Sequence, residues 1–189
     1  MSLELIKEEI PLTRANRLIN SGSVILVTSI SKEERPNIIT LAWQMPVSHN
    51  PPLSAISIAK SHFSCQLIET TKEFVINVPN VFLLKQVKFC GSVSGKNIDK
   101  FKESSLTPIP AKVVKPPLIK ECIGHLECKV VDIYPAGDHT IFIGNVVVAS
   151  ANKGLFDGAC WDLNKEETSL IYHFGGTLFA TIGKVLDQQ

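Results

Sequence analysis

The sequence predicts a mainly β protein with short helices, folded as a closed or nearly closed antiparallel barrel in one domain spanning residues 1–189. Three observations carry that prediction. The strand-like runs come as hairpins rather than in regular alternation with helices, which argues against a doubly wound parallel sheet. Those runs are short, rich in β-branched residues and bounded by turn residues. With 189 residues, 44% of them hydrophobic, the chain is long enough to bury a sizeable core and too short for two full domains.

Taken in order, Leu12, Ala15, Leu18 and Ile19 share one face of a short helix from Leu12 to Asn20, with Ser21-Gly22 as its stop. "SVILVTSI" (Ser23 to Ile30) and "NIITLAW" (Asn37 to Trp43) form a candidate hairpin across the polar turn "SKEERP". The second of these strands changes character at Trp43 and runs into Pro51-Pro52, where a residue pair without N–H donors takes the chain out of the sheet. "LSAISIA" is a further strand, "SHFSCQLIETTKE" a helix with Phe63, Leu67 and Ile68 at helical spacing, and "FVINVPN" a strand closed by Pro79. Helical periodicity returns in "VFLLKQVKFCG" and "NIDKFKES", followed by the proline-rich loop "TPIPAKVVKPPLI". "LECKVVDIY" and "TIFIGNVVVASA" make a second hairpin through "PAGDH", and the apolar "LFATIGKVL" closes the chain.

Charge and cysteine content narrow the function classes. Nineteen Lys and Arg against 18 Asp and Glu give no basic excess, so a nucleic-acid partner is not expected. Five scattered cysteines, odd in number, suggest reduced thiols rather than a disulfide framework. The N-terminal "MSLELIKEEI" lacks an apolar signal core and no run approaches the ~20 residues of a membrane span. A cytoplasmic protein with no membrane contact is the expectation.

Two tempting motifs do not hold. "GSVSGKN" is one residue short of a phosphate loop between its glycines and has Asn97 where a metal-binding hydroxyl belongs, so it reads as a turn between two helices. In "CIGHLEC" a strand would set Cys122 and Cys128 ~20 Å apart with His125 on the opposite face, which prevents a shared metal. No G-x-G-x-x-G follows a strand, and no cysteine sits in a recognisable catalytic motif. "KSHFSCQ" sets Ser61 and Ser64 at the mouth of a helix, where they serve either as caps or as donors to an anion.

The linked stretches "NIITLAWQMPVSHNPPL", "SIAKSHFS", "EFVINVP", "CGSVSGKNIDKF", "GDHTIFIGNVV" and "YHFGGTLFATIG" resemble, in the same order, the flavin reductase-like (flavoredoxin) family. The resemblance implies an FMN-binding split β-barrel, usually a homodimer, that passes electrons through a non-covalently held flavin. It implies that Thr40, Leu41, Ala42 and Trp43 lie along the flavin ring, and that Ser57, Ser61, His62, Ser64 and Ser94 belong to cofactor-binding stretches. Position 62 is often Arg in the family. By the same resemblance Asn77 and Lys100 match flavin-contact or phosphate-side positions, Tyr172 and His173 fall in a segment near the cofactor, and His139 contacts the incoming electron donor. Read on their own, Trp43 suits a core beside a turn, Asn77 a turn, Lys100 a solvated helix face and His139 a hairpin surface.

The activity so implied is electron transfer from NAD(P)H through FMN to flavin or another acceptor. The alternatives are a carrier serving a redox protein partner and a flavin-binding or storage module without turnover.

Overall fold

The computed structural model describes residues 9–19 and 22–183. Strands β1 (Ile25–Ile30) and β2 (Pro36–Leu41) form the first hairpin, with Ile25 opposite Leu41 and Ile30 opposite Pro36. The chain does not leave the sheet at Trp43. It steps through Ala42 and Trp43 into β3 (Gln44–Ser48), turns at the proline pair, and returns as β4 (Leu53–Ala59), which pairs with β3. Pro46 is tolerated because β3 is an edge strand, where a missing N–H removes no ladder bond.

Helix α1 (Phe63–Thr71) follows, stopped by Lys72 in the left-handed region, and leads into β5 (Glu73–Val78). The segment expected as one helix from Val81 is a 3-10 turn, Val81–Leu83, continuing as α2 (Leu84–Ser92). Helix α3 (Lys100–Ser104) begins at Asp99, whose side chain accepts from the Lys102 N–H. The proline-rich stretch contains a minute hairpin, β6 (Pro108–Ile109) with β7 (Leu118–Ile119). Strands β8 (Gly124–Ala136) and β9 (His139–Ala151) form the long hairpin read from "PAGDH", closed by Gly137-Asp138, and β10 (Tyr172–Gly175) pairs with β11 (Leu178–Ala180).

The main sheet has seven strands in the order β2-β1-β5-β8-β9-β4-β3, every neighbouring pair antiparallel. Its two edges, β2 and β3, are consecutive in the chain. The sheet therefore curls until its ends meet at Ala42-Trp43, and that seam is the split of a split barrel.

Strict alternation divides the core in two. Ile25, Val27, Ile39, Leu41, Ile56, Phe74 and Phe142 fill the barrel. Leu26 and Ile38, on the other face of the same strands, pack with Val87, Cys90, Phe101 and Ile119 beneath the helices. Cys128 belongs to the first cluster and Cys122 to the second, so the two cysteines of "CIGHLEC" occupy different cores.

The proline-rich stretch is strapped to the sheet rather than loose. The Glu127 carboxylate, 2% exposed, accepts from the N–H groups of Lys112, Val113 and Val114 at 2.9, 2.7 and 3.2 Å. Ile119 donates to Asn77 Oδ1 at 2.8 Å, and Thr28 Oγ1 donates to the Pro117 carbonyl at 2.6 Å.

The helix predicted from Leu12 is a 3-10 helix, Leu12–Leu18, with no buried residue. Its apolar Leu12, Leu18 and Ile19 are exposed, because an apolar face yields a stable α-helix only where something covers it. Asn20 and Ser21 lie outside the described residues, as does the chain after Gly183. Among the described residues no helix is long and apolar enough to cross a membrane.

Candidate functional site

Three segments far apart in sequence converge beside β2: the start of α1, the end of α2 with the loop after it, and α3. They enclose a polar basin of about 260 Å3 lined by Asn37, Thr40, Ser61, His62, Ser64, Ser94 and Lys100. Of the residues proposed for cofactor binding, this basin gathers Thr40, Ser61, His62, Ser64, Ser94 and Lys100.

Lys100 is only 4% exposed. Its Nζ donates to the carbonyls of Ile38 and Cys90, each at 2.7 Å, leaving the third N–H of the ammonium for the basin. Burial holds the amine below the usual lysine value, and the Cys90 thiol opposes that shift. The lysine is therefore a buried cation, not a residue of a solvated helix face.

The Lys100 bond also reports the direction of the β2 backbone. Ile38 turns its peptide groups away from β1, and in an antiparallel strand alternate residues share that direction. Thr40 accordingly presents its N–H and C=O outward, while its hydroxyl donates to the Val87 carbonyl at 2.7 Å. At that point the basin opens into a second cavity of about 530 Å3, with Thr40, Gly91 and Ser92 common to both. This groove is more apolar, lined by Val24, Ala42, Val87, His173 and Phe179.

Ala42 also borders a third, strongly apolar cleft of about 440 Å3 that holds Trp43, Ser57, Met45 and Ile141. The Ser57 N–H donates to the Trp43 carbonyl at 3.0 Å, which fixes the seam against β4. A Cβ at Gly22 would lie 2.4 Å from the Ala42 carbonyl oxygen, so only glycine allows the incoming chain to pass so close to this step.

The Trp43 indole packs on the His139 imidazole, centroids 4.8 Å apart and planes tilted by 31°. His139 Nδ1 stands 2.6 Å from Asp138 Oδ1, and this contact holds the Asp138 carboxyl below the usual carboxylate range. Nε2 is left as the ring's remaining polar atom. His62 caps the start of α1 without a side-chain cap bond. Desolvation of its ring, then the charges of His139 and Lys100, hold its imidazole below the ordinary histidine value.

Three proposed residues lie elsewhere. Leu41 has its side chain in the barrel core. Asn77 is fully buried on β5, where Nδ2 donates to the Leu26 carbonyl and Oδ1 receives Ile119 N–H and faces His125 Nδ1 at 3.0 Å. Its amide is used within the protein, in neither a turn nor the basin. Tyr172 is half-buried on β10 and bridges to Ser23, whereas its neighbour His173 reaches the groove.

Among the basin-wall residues not singled out in the sequence are Asn37 and Gly95. The Asn37 amide donates to Ser64 Oγ at 2.7 Å, and its Oδ1 is buried without a hydrogen-bond partner among the described residues. A Cβ at Gly95 would sit 1.8 Å from that oxygen, so glycine lets the loop close over it. Asn37 was read only as the first residue of the buried strand "NIITLAW", and nothing local singled it out.

The arrangement suits a ligand with an anionic end and a flat apolar body. A buried ammonium and hydroxyls face the basin, and the outward backbone of Thr40 leads into the groove.

Two histidines, His125 buried on β8 and His62 at the start of α1, also predict a pH effect. Burial holds His125 below its ordinary value of 6.5, with Glu127 opposing, and His62 is shifted the same way. Below 6.5 the unfolded chain takes up protons that the native state resists, so stability is full at pH 7 and is lost as pH falls. Urea midpoints should decline from pH 6.5 toward pH 5, with a shallower slope in His125→Gln. Equal midpoints at pH 7.5 and 5.5 would refute this.

A family model for the flavin reductase like domain matches residues 18–178. Over 179 residues the chain is 35% identical to an uncharacterized Escherichia coli protein, YddH, spanning 93% of this chain and 94% of that one. A flavoredoxin from Methanosarcina acetivorans has the same fold, with a TM-score of 0.82 and 26% identity over 96% of this chain and 95% of its own. An NADH-dependent FAD reductase of Streptomyces globisporus is 31% identical over 117 residues, 59% of this chain and 63% of that one.

Proposed function

Because the chain belongs to the flavin reductase like family, we propose that it binds FMN and passes electrons through it, from NAD(P)H to free flavin or another acceptor, as a homodimer. The observation that carries this reading is the junction at Thr40, where a basin built around buried Lys100 opens into an apolar groove along the outward edge of β2. FMN matches that sequence of environments, phosphate in the basin and ring along the groove. The Streptomyces reductase supports NADH as donor.

In this reading Ser61, Ser64, Ser94 and Lys100 hold the phosphate, with His62 at the rim. The backbone groups of Thr40 pair with the polar edge of the ring, Ala42 walls its apolar part, and Trp43 lines the adjoining cleft. His139, held by Asp138 and stacked on Trp43, meets the incoming nicotinamide nucleotide. When bound, the flavin supplies the hydride and electron chemistry, and the protein supplies orientation and electrostatics.

The fold shared with the Methanosarcina flavoredoxin favours a second reading, a carrier that receives electrons from a protein partner. Both readings require a yellow protein that releases FMN on denaturation. A colourless protein that takes up no added FMN removes both. Anaerobic mixing with NADH and with NADPH separates them: bleaching by either nucleotide is expected of the reductase, and a flavin that neither bleaches belongs to the carrier.

A further inference from the structure

A hydroxyl at a helix start usually accepts from a helix N–H, but Ser64 does not act as a cap here. The N-cap is His62, no side-chain cap bond forms, and Ser64 Oγ instead receives the Asn37 Nδ2–H at 2.7 Å. Ser64 is 2% exposed and Asn37 3% exposed, so neither has bulk water to change partners with. Once an oxygen lone pair of Ser64 is occupied by the amide, the hydroxyl hydrogen must point elsewhere, and both residues line the polar basin. The loop fixes the amide from its far side, since Gly95 packs where any Cβ would strike Asn37 Oδ1.

We propose that Asn37 is a positioning residue that sets the polarity of the basin: by donating to Ser64 it commits the Ser64 hydroxyl to donate to an anion. The buried Oδ1 lies under Gly95, so the side of this amide that bears on the basin is its donor, through Ser64. The chemistry it selects is a group made of acceptors only, an ionised phosphate. The inference rests on the FMN reading and deepens it, naming what makes the basin prefer the phosphorylated flavin over the neutral one.

The test is a pair of titrations, FMN and riboflavin, followed by quenching of flavin fluorescence in the full-length protein. Asn37→Asp keeps the shape but turns the donor into an acceptor beside the phosphate, and FMN should bind at least about 100-fold more weakly, with riboflavin within about threefold of wild type. Asn37→Leu removes the donor without adding charge and should cost FMN about tenfold. Because Asn37 acts through Ser64, adding Ser64→Ala to Asn37→Leu should cost little beyond Ser64→Ala alone.

Thermal melting of each apo variant establishes that it folds, and the Leu series carries the test where the Asp variant does not. Losses that multiply in the double variant, or equal losses for FMN and riboflavin, overturn the positioning role while leaving the FMN reading intact. Wild-type protein that fails to bind FMN overturns that reading and this inference with it.

Discussion

Lys100→Met should bind FMN roughly 100-fold more weakly than wild type while its affinity for riboflavin changes little. The ammonium is buried, anchored to the carbonyls of Ile38 and Cys90, and keeps one N–H for the basin. A charge-assisted hydrogen bond to a phosphate is worth about 1.5–3 kcal/mol, and each ~1.4 kcal/mol is a factor of ten in affinity. Methionine fills much of the same space but supplies neither charge nor donor. It also strips two carbonyls of their partner, so the apo protein should melt earlier. That structural cost falls on both ligands alike, and only the difference between FMN and riboflavin reports the charge. Isothermal titration with each ligand gives both numbers, and parallel losses would reduce Lys100 to a packing role.

The second large effect concerns stability, far from the basin. Glu127→Ala removes the acceptor shared by the N–H groups of Lys112, Val113 and Val114 and frees the proline-rich strap from the sheet. A buried donor left unpaired costs about 1–3 kcal/mol, and water can reach part of this segment, so a loss of about 2–4 kcal/mol is expected. Against a total stability of roughly 5–15 kcal/mol that is a large share. Urea unfolding should show it as a lowered midpoint, with Glu127→Gln intermediate. An alanine variant within about 1 kcal/mol of wild type would show that the strap is held by its other anchors, at Asn77, Glu73 and Thr28.

Some of this was legible before any coordinates. The long hairpin was, because the strand-like runs "LECKVVDIY" and "TIFIGNVVVASA" left "PAGDH" between them as the turn. Strand β3 was not, since Pro46 and the Pro51-Pro52 pair hide an edge strand that needs few donors. Glu127 reads as an ordinary polar position in "LECKVV"; its role exists only once residues 112–114 fold back over it. The basin shows the same limit. Ser64, Ser94 and Lys100 have no spacing that foretells their meeting, and only the family resemblance joined them. The helix start offered Ser61 and Ser64 as caps or as donors to an anion; both line the basin, and the N-cap is His62. Asn77 was drawn toward the site by the resemblance alone, and the amide is instead committed to Leu26, Ile119 and His125.

The seam at Ala42-Trp43 bears on how such a protein can change over generations. Because side chains alternate faces along a strand, gaining or losing one residue in this step would turn all of β3 over relative to β2 and carry its pairing with β4 out of register. Ala42 borders both cavities beside the barrel split, and Trp43 lines one of them. A single-codon insertion or deletion here would therefore break the fold and the site together, whereas point substitutions at Met45 or Val47, which are exposed, leave the ladder untouched. Diversification of this region is confined to exchanging side chains on a backbone of fixed length.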